Sequence, residues 1–279
     1  MTTIAYDESK GARVALAGKA VVGDGWAMFG RHLRRLRRAP GLFILTQCMP
    51  VTMLLFFGYV FGSAVALPGG ADYRAYLVPG LFVATAANGI MTGMFQAAAD
   101  NHRGVMDRFR TLPMSRVAVP IGQAASEVVQ AAVGLVPLAA VGYAVGWRIE
   151  GGFWPAVGAF GLLLLFRLAT AWVGIWLGLA AKSEEAAGQL GSATFMLPLL
   201  SGAYIPTAGM TGWLRTVAEW NPISAVSAAC RELFGNGTAV TAGGAWPVTH
   251  PVVASVGWSL LLLAVCVPLA VRRYDKSTK

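Results

Sequence analysis

Four polar side chains stand inside runs that are otherwise apolar, and they are the residues of this chain best placed to do chemistry. Gln123, Glu127 and Gln130 recur at i, i+4 and i+7, so on a helix they form one polar stripe. Arg167 lies near the middle of a later apolar run. A charge at the centre of a bilayer costs roughly 2.5 kcal/mol or more, so such groups face a bundle interior or a wet cavity. If the two runs cross a membrane in opposite directions, Glu127 and Arg167 reach comparable depth. The expectation is that they pair, within one subunit or across a dimer. Such a pair could serve transport or only fix helix packing, and the residues alone leave both readings open.

Templates for covalent or metal chemistry fail. There is no HExxH, no GxSxG and no DDxxD-like acidic pair, and His32, His102 and His250 fall in three separate segments. Cys48, Cys230 and Cys266 form no CxxC and no Cys/His cluster, which supports neither a disulfide framework nor a zinc site. Gly18-Lys19 after Gly11 invites comparison with a phosphate-binding loop. The glycine spacing is wrong, however, and Ala20 follows where Ser or Thr would ligate magnesium. No catalytic residue, metal or nucleotide site is therefore expected on this chain.

Composition explains where those polar residues must live. Of 279 residues, 56% are hydrophobic and 13% charged, with mean hydropathy +0.59. Soluble domains carry about 25% charged residues, so lipid is the solvent for most of this chain. The net charge of +9 does not point to nucleic acid, because Lys and Arg are confined to particular loops. That distribution sets topology and attracts anionic lipid. Residues 1–38 hold eight Lys/Arg and no apolar run of signal-peptide length, so no secretory leader is expected.

The pattern predicts an all-α integral membrane protein with six spans, at about 41–64, 76–98, 118–146, 154–180, 187–206 and 250–271. Before them, residues 1–24 read as a cytoplasmic tail. Residues 25–39 follow as an amphipathic interface helix, with Trp26, Phe29, Leu33 and Leu36 on one side and five arginines on the rest. The six-span domain covers 40–271, and 272–279 form a second tail. Four spans carry GxxxG pairs (Gly58/Gly62, Gly89/Gly93, Gly142/Gly146, Gly174/Gly178), read as close helix packing. Of the Lys and Arg outside the spans, 17 fall on the side of the termini and four, Arg74, Arg148, Arg215 and Arg231, on the other. Both termini are accordingly expected in the cytoplasm.

Two short segments break the apolar pattern. The first, 101–116, is a basic island in which Val105, Met106, Phe109 and Leu112 share a helical face while Arg108 and Arg110 point elsewhere and Pro113 ends the turn. It reads as a docking element, against the plainer reading of a topology-setting loop. The second, about 210–236, contains a short helix around Trp213–Trp220. A second helix follows, capped by Asn221-Pro222, striped by Ile223, Val226, Cys230 and Leu233, and stopped by Gly235. About 13 residues cannot span a bilayer, so an outer re-entrant or interfacial element is predicted. Cys230 is expected to be reachable from outside.

Three blocks carry a family resemblance. They are the basic helix before the first span, RGVMDRFRTLPMSRVAV (Arg103 to Val119), and WLRTVAEWNPISAVSAACRELFGN (Trp213 to Asn236). Together with six spans in the same order, they make the chain resemble permease subunits of type-2 ATP-binding-cassette (ABC) exporters, of the daunorubicin/doxorubicin-resistance kind. Gln123 stands where many members carry a basic residue, and Glu127 where many carry Asp.

The resemblance implies an export permease for an amphipathic drug or natural product, with lipid or glycan export as the alternative and an ion-gradient carrier as a more distant one. It implies a bacterial plasma-membrane location. A separate ATPase subunit, two copies per complex, would hold ATP and Mg, and a second permease, identical or a sister chain, would complete the dimer. Arg103, Val105, Met106, Asp107, Arg108, Phe109, Arg110, Leu112 and Pro113 would form the coupling helix. Trp213, Glu219, Trp220, Asn221, Pro222, Arg231 and Glu232 would belong to the outer element that caps the exit.

Overall fold

The structure is a computed structural model, and it describes Gly30 and residues 40–62, 72–102, 118–237 and 244–276. The expected interface helix (Gly30 apart) and the island from Arg103 to Pro113 lie outside the described residues. Every element among those described is helical. The chain runs through α1 (Pro40–Val60), α2 (Tyr73–Ala87), α3 (Gly89–His102), α4 (Ala118–Val145) and α5 (Phe153–Ala180). It continues through α6 (Glu184–Thr194), α7 (Met196–Leu199), α8 (Gly212–Trp220), α9 (Pro222–Phe234), α10 (Trp246–Thr249) and α11 (Pro251–Lys276).

Among the described residues, four helical stretches are long and apolar enough to cross a membrane: Tyr73–His102, Val119–Val145, Phe153–Ala180 and Pro251–Tyr274. The second expected span is therefore longer than 76–98 and is interrupted at Asn88, where α2 passes into α3. The fifth expected span, 187–206, is not one continuous helix. It breaks at Phe195 and ends at Leu199, because Pro198 has no N–H to close the ladder onto Thr194. At the other end, α11 carries Arg272 and Arg273 as helix rather than tail.

The glycine pairs explain how α3 reaches α5. A side chain at Gly93 would bring its Cβ to 2.7 Å from the Ala171 carbonyl, and Gly174 and Gly178 press against the backbone of Ile90 and Met94. Only glycine lets two helix backbones approach this closely, and α3 and α5 are accordingly the most intimately packed pair. A second cluster fills the far end of the bundle. Trp147 and Phe234 stack edge-to-face at 5.2 Å, with Phe82 at 5.4 Å from Trp147 and Phe160 at 5.3 Å from Phe234.

The loop after α4 is tied to the end of α9. The Glu150 and Gly151 N–H groups donate to the Phe234 carbonyl, and the Trp147 indole donates to Asn236 Oδ1 at 2.7 Å. Gly235, at φ 79, makes this possible: its left-handed backbone turns the chain so that Asn236 N–H returns to the Arg231 carbonyl at 2.8 Å.

Candidate functional site

Glu127 on α4 and Arg167 on α5 meet in the middle of the bundle within a single chain. Glu127 is 0% exposed and Arg167 6%. Arg167 Nη2 donates to Glu127 Oε2, making an ion pair. The same carboxylate accepts from Thr92 Oγ1 at 2.8 Å and from Gln96 Nε2 at 3.0 Å, both on α3. Arg167 also donates from Nη2 to Thr92 Oγ1 at 3.1 Å and from Nη1 to the Thr85 carbonyl at 3.1 Å. The break at Asn88 matters here. Near it, the Thr85 and Ala86 carbonyls accept from Arg167 and from Thr170 Oγ1, so side chains of α5 bond backbone where the ladder of α2 ends.

The polar stripe on α4 divides among three tasks. Gln123 donates to the Gly93 carbonyl at 3.0 Å, Glu127 makes the ion pair, and Gln130 lines a cavity of about 550 Å³. That cavity lies between α1, the α2–α3 stretch, α4, α6 and α7, with Arg167 and Thr92 in its wall. Thr92 and Gln96 were not singled out from sequence. Their signal was spacing alone, since i, i+4 on α3 places both toward Glu127.

A second buried arginine closes the other end. Arg231 on α9 is 5% exposed and has no carboxylate bound to its guanidinium among the described contacts. It donates to three carbonyls instead: Tyr76 at 2.9 Å, Gly202 at 2.9 Å and Ala203 at 2.8 Å. Its guanidinium lies 3.4 Å from the centre of the Tyr76 ring. Tyr76 Oη and Tyr73 Oη donate to Gly202 and Tyr204, and Ser224 Oγ accepts from Gly202 N–H. The turn after α7 is thus fastened to both α2 and α9. Counting Arg231 as an outer loop charge missed this role.

The segment at 210–236 forms the two expected helices, α8 and α9. Asn221 caps α9 by accepting from Ile223 N–H at 3.0 Å, and Pro222 occupies its first turn. Trp213 and Trp220 are exposed on α8, and Glu232 lies on α9. Glu219 is buried, pairs with Arg215 at 2.6 Å and accepts from Ala245 N–H at 2.8 Å, which joins α8 to α10. Burial acts to raise the Glu219 carboxyl, but the bond from Arg215, the Ala245 N–H and the Arg215 charge outweigh it, leaving it below its ordinary value.

The expected accessibility of Cys230 is overturned. Its thiol is fully buried against the bundle, and burial pushes its pKa up to about 12. The apolar stripe that includes Cys230 faces the core. Among the described residues, no three His, Cys, Asp or Glu gather as metal ligands.

Crossing-length apolar helices around a buried ion-paired centre define a multi-pass helical membrane protein. Residues 24–234 match the ABC-2 type transporter family, and the chain belongs to that family. It is 32% identical over 246 residues to the daunorubicin resistance ABC transporter permease protein DrrB1 of Streptomyces coeruleorubidus, covering 88% of this chain and 83% of that protein. It is 25% identical over 189 residues to the doxorubicin resistance ABC transporter permease protein DrrB of Mycobacterium tuberculosis, covering 64% of this chain and 62% of that protein.

Proposed function

We propose that this chain is the translocation subunit of an ATP-driven exporter that moves amphipathic drug-like molecules out of a bacterial cell. The observation that carries the reading is its 32% identity, across most of both chains, to a daunorubicin-resistance permease. The chain itself catalyses nothing; ATP and Mg are held by a separate ATPase subunit, present in two copies. A second permease, identical or a sister chain, completes the pathway.

Six crossings complete the domain at 40–271. The four crossing-length helices supply four of them. The 21 residues of α1 reach about 30 Å, enough for the hydrocarbon core, and residues 187–206, helical as far as Leu199, form the remaining crossing. The excess of Lys and Arg at the termini and island puts both termini in the cytoplasm of a bacterial plasma membrane. The interface helix at 25–39 then lies on the inner leaflet, and residues Arg103 to Pro113 dock on the ATPase as the coupling helix. The α8–α9 pair caps the outer end as an interfacial element.

Affinity purification of the tagged chain from native membranes in mild detergent tests this reading. The expected result is a co-purifying soluble subunit with a phosphate-binding loop and measurable ATP hydrolysis. A chain recovered alone, with export that follows a proton or sodium gradient instead of ATP, would refute it.

A further inference from the structure

A groove between α4 and α5 has an apolar lining and a cation at one end. Its volume is about 360 Å³, and Ala132, Leu135, Val136, Ala139, Phe160 and Leu164 line it. None of these residues borders the larger cavity beside the ion pair. The hollow has a simple origin in the sequence. Ala132 and Ala139 stand two turns apart on α4, where larger side chains would fill the gap to Phe160 and Leu164. Val136 lies between them and is 68% exposed.

Both helices carry this stripe on toward the loop that joins them. On α4, Ala132, Val136, Ala139 and Tyr143 recur at i, i+4, i+7 and i+11. On α5, Phe153, Val157, Phe160 and Leu164 recur at the same spacing. Tyr143, Phe153 and Val157 are exposed. Arg148 stands at this end, exposed to the surroundings. Its Nη1 donates to the carbonyls of Tyr143 and Trp147, and its guanidinium lies 5.3 Å from the centre of the Tyr143 ring. Those contacts hold the cation beside the last residue of the α4 stripe. Among the described residues its Nε and Nη2 have no partner and no carboxylate pairs with it, Glu150 included.

The dimensions and the charge select the occupant. From Ala132 to Tyr143 the helix rises about 16 Å, which is half of the roughly 30 Å hydrocarbon core. A partner helix would run the full depth of that core, past the lower end of the groove. A molecule that is apolar over the depth of one leaflet and anionic at its end is a phospholipid. The free edge of a guanidinium suits two oxygens of a phosphate. Trp154, 78% exposed at the start of α5, belongs at the same headgroup level.

We propose that the α4–α5 groove holds one acyl chain of a glycerophospholipid whose phosphodiester accepts from Arg148 Nε and Nη2. The lipid is a bound constituent of the protein's outer surface and not its cargo. Its leaflet is the outer one if both termini are cytoplasmic; the site itself depends neither on that orientation nor on export.

Phosphatidylglycerol with a diazirine in one acyl chain is the probe. The purified full chain in detergent is irradiated with increasing amounts of it, and adducts are located by peptide mass spectrometry. Labelling is expected to saturate at 132–139 and 160–164. Unlabelled phosphatidylglycerol should compete it away, and diacylglycerol, which lacks the phosphate, should not. The exposed face of α11, with Val253, Leu260 and Leu261, serves as reference, where labelling should rise without saturating. Arg148→Gln should lower groove labelling about tenfold below saturation, the loss of one charge-assisted contact. Ala139→Phe, which fills the groove away from Arg148, should lower it as much. Unchanged labelling of α11 reports that each variant is folded, and the competition in the unaltered chain decides by itself where one is not. Groove labelling that tracks α11, that diacylglycerol competes equally, or that Arg148→Gln leaves unchanged overturns the inference and leaves bulk lipid only. A groove that stays unlabelled while α11 is labelled also overturns it, in favour of a second chain covering this face.

Discussion

Removing either member of the central ion pair should destabilise the bundle strongly, and removing both should not. In Arg167→Met the Glu127 carboxylate, 0% exposed, keeps only the Thr92 hydroxyl and the Gln96 amide as donors. The Thr85 carbonyl also loses its partner. Breaking one side of a buried pair costs about 3–5 kcal/mol, mostly because an uncompensated charge remains. Glu127→Leu leaves a buried guanidinium and should cost a similar amount. In the double variant no charge is stranded. What remains is the loss of hydrogen bonds at Thr85, Thr92 and Gln96, about 1 kcal/mol each, partly offset by new apolar packing. The double variant should therefore lose about 1–3 kcal/mol, far less than the two single variants together, for a coupling of at least about 3 kcal/mol. Denaturant titration of the purified protein in detergent, followed by tryptophan fluorescence, measures all four species. A double variant whose loss equals the sum of the two singles would show that Glu127 and Arg167 do not depend on each other.

Other expectations follow from the same contacts. Gly93→Ala should cost about 1–3 kcal/mol, because its Cβ falls 2.7 Å from the Ala171 carbonyl. Gly158→Ala, with nothing within 4 Å, should be neutral or gain up to about 1 kcal/mol; equal effects in thermal melts would disprove the close approach. Cys230 should resist maleimide labelling until the protein is unfolded, and stoichiometric labelling of the native state would contradict its burial. Glu219 has a folded pKa below its unfolded value, so the α8–α10 tie is fully present at neutral pH and weakens as pH falls below 4.5 through the folded value. Amide-exchange protection factors over 212–220 and 244–250, taken relative to the intrinsic rate at each pH, should fall in acid, and Glu219→Gln should abolish that dependence. Replacing Arg108 and Phe109 together should leave membrane insertion intact and abolish export; normal ATPase association and export would dismiss the coupling role.

The membrane class, four crossing-length helices and the meeting of Glu127 with Arg167 were legible in the sequence, because lipid makes both long apolar runs and isolated charges conspicuous. The caps of α9 were legible too: Asn221, Pro222 and Gly235 each act through their own local backbone. What escaped depended on tertiary contact. Thr92 and Gln96 are unremarkable residues in a helix, and only the packing of α3 on α4 gives them Glu127 as a shared acceptor. Cys230 and Arg231 lay in a segment whose shortness suggested a re-entrant or interfacial element. Shortness rules out a crossing, yet it does not say which face the helix buries. The stripe of Ile223, Val226 and Cys230 was read correctly as apolar, but the expectation that Cys230 is reachable from outside did not follow from it, because that face packs on the core.

The two buried arginines solve the same electrostatic problem in opposite ways, and the difference says what each is for. Arg231 is held by carbonyls of Tyr76, Gly202 and Ala203 and by the Tyr76 ring. Gly202 and Ala203 lie in the turn after α7, beyond its helical ladder, and Tyr76 lies in the first turns of α2. The Arg231 bonds go to backbone, and a lysine there could not reach three acceptors with a planar fork. Arg167 instead shares its donors among a carboxylate, a hydroxyl and one carbonyl. What separates the two is the counter-charge: Arg167 is neutralised by Glu127 at the centre of the bundle, whereas Arg231 is held, among the described contacts, by neutral acceptors and fastens the turn after α7 to α2.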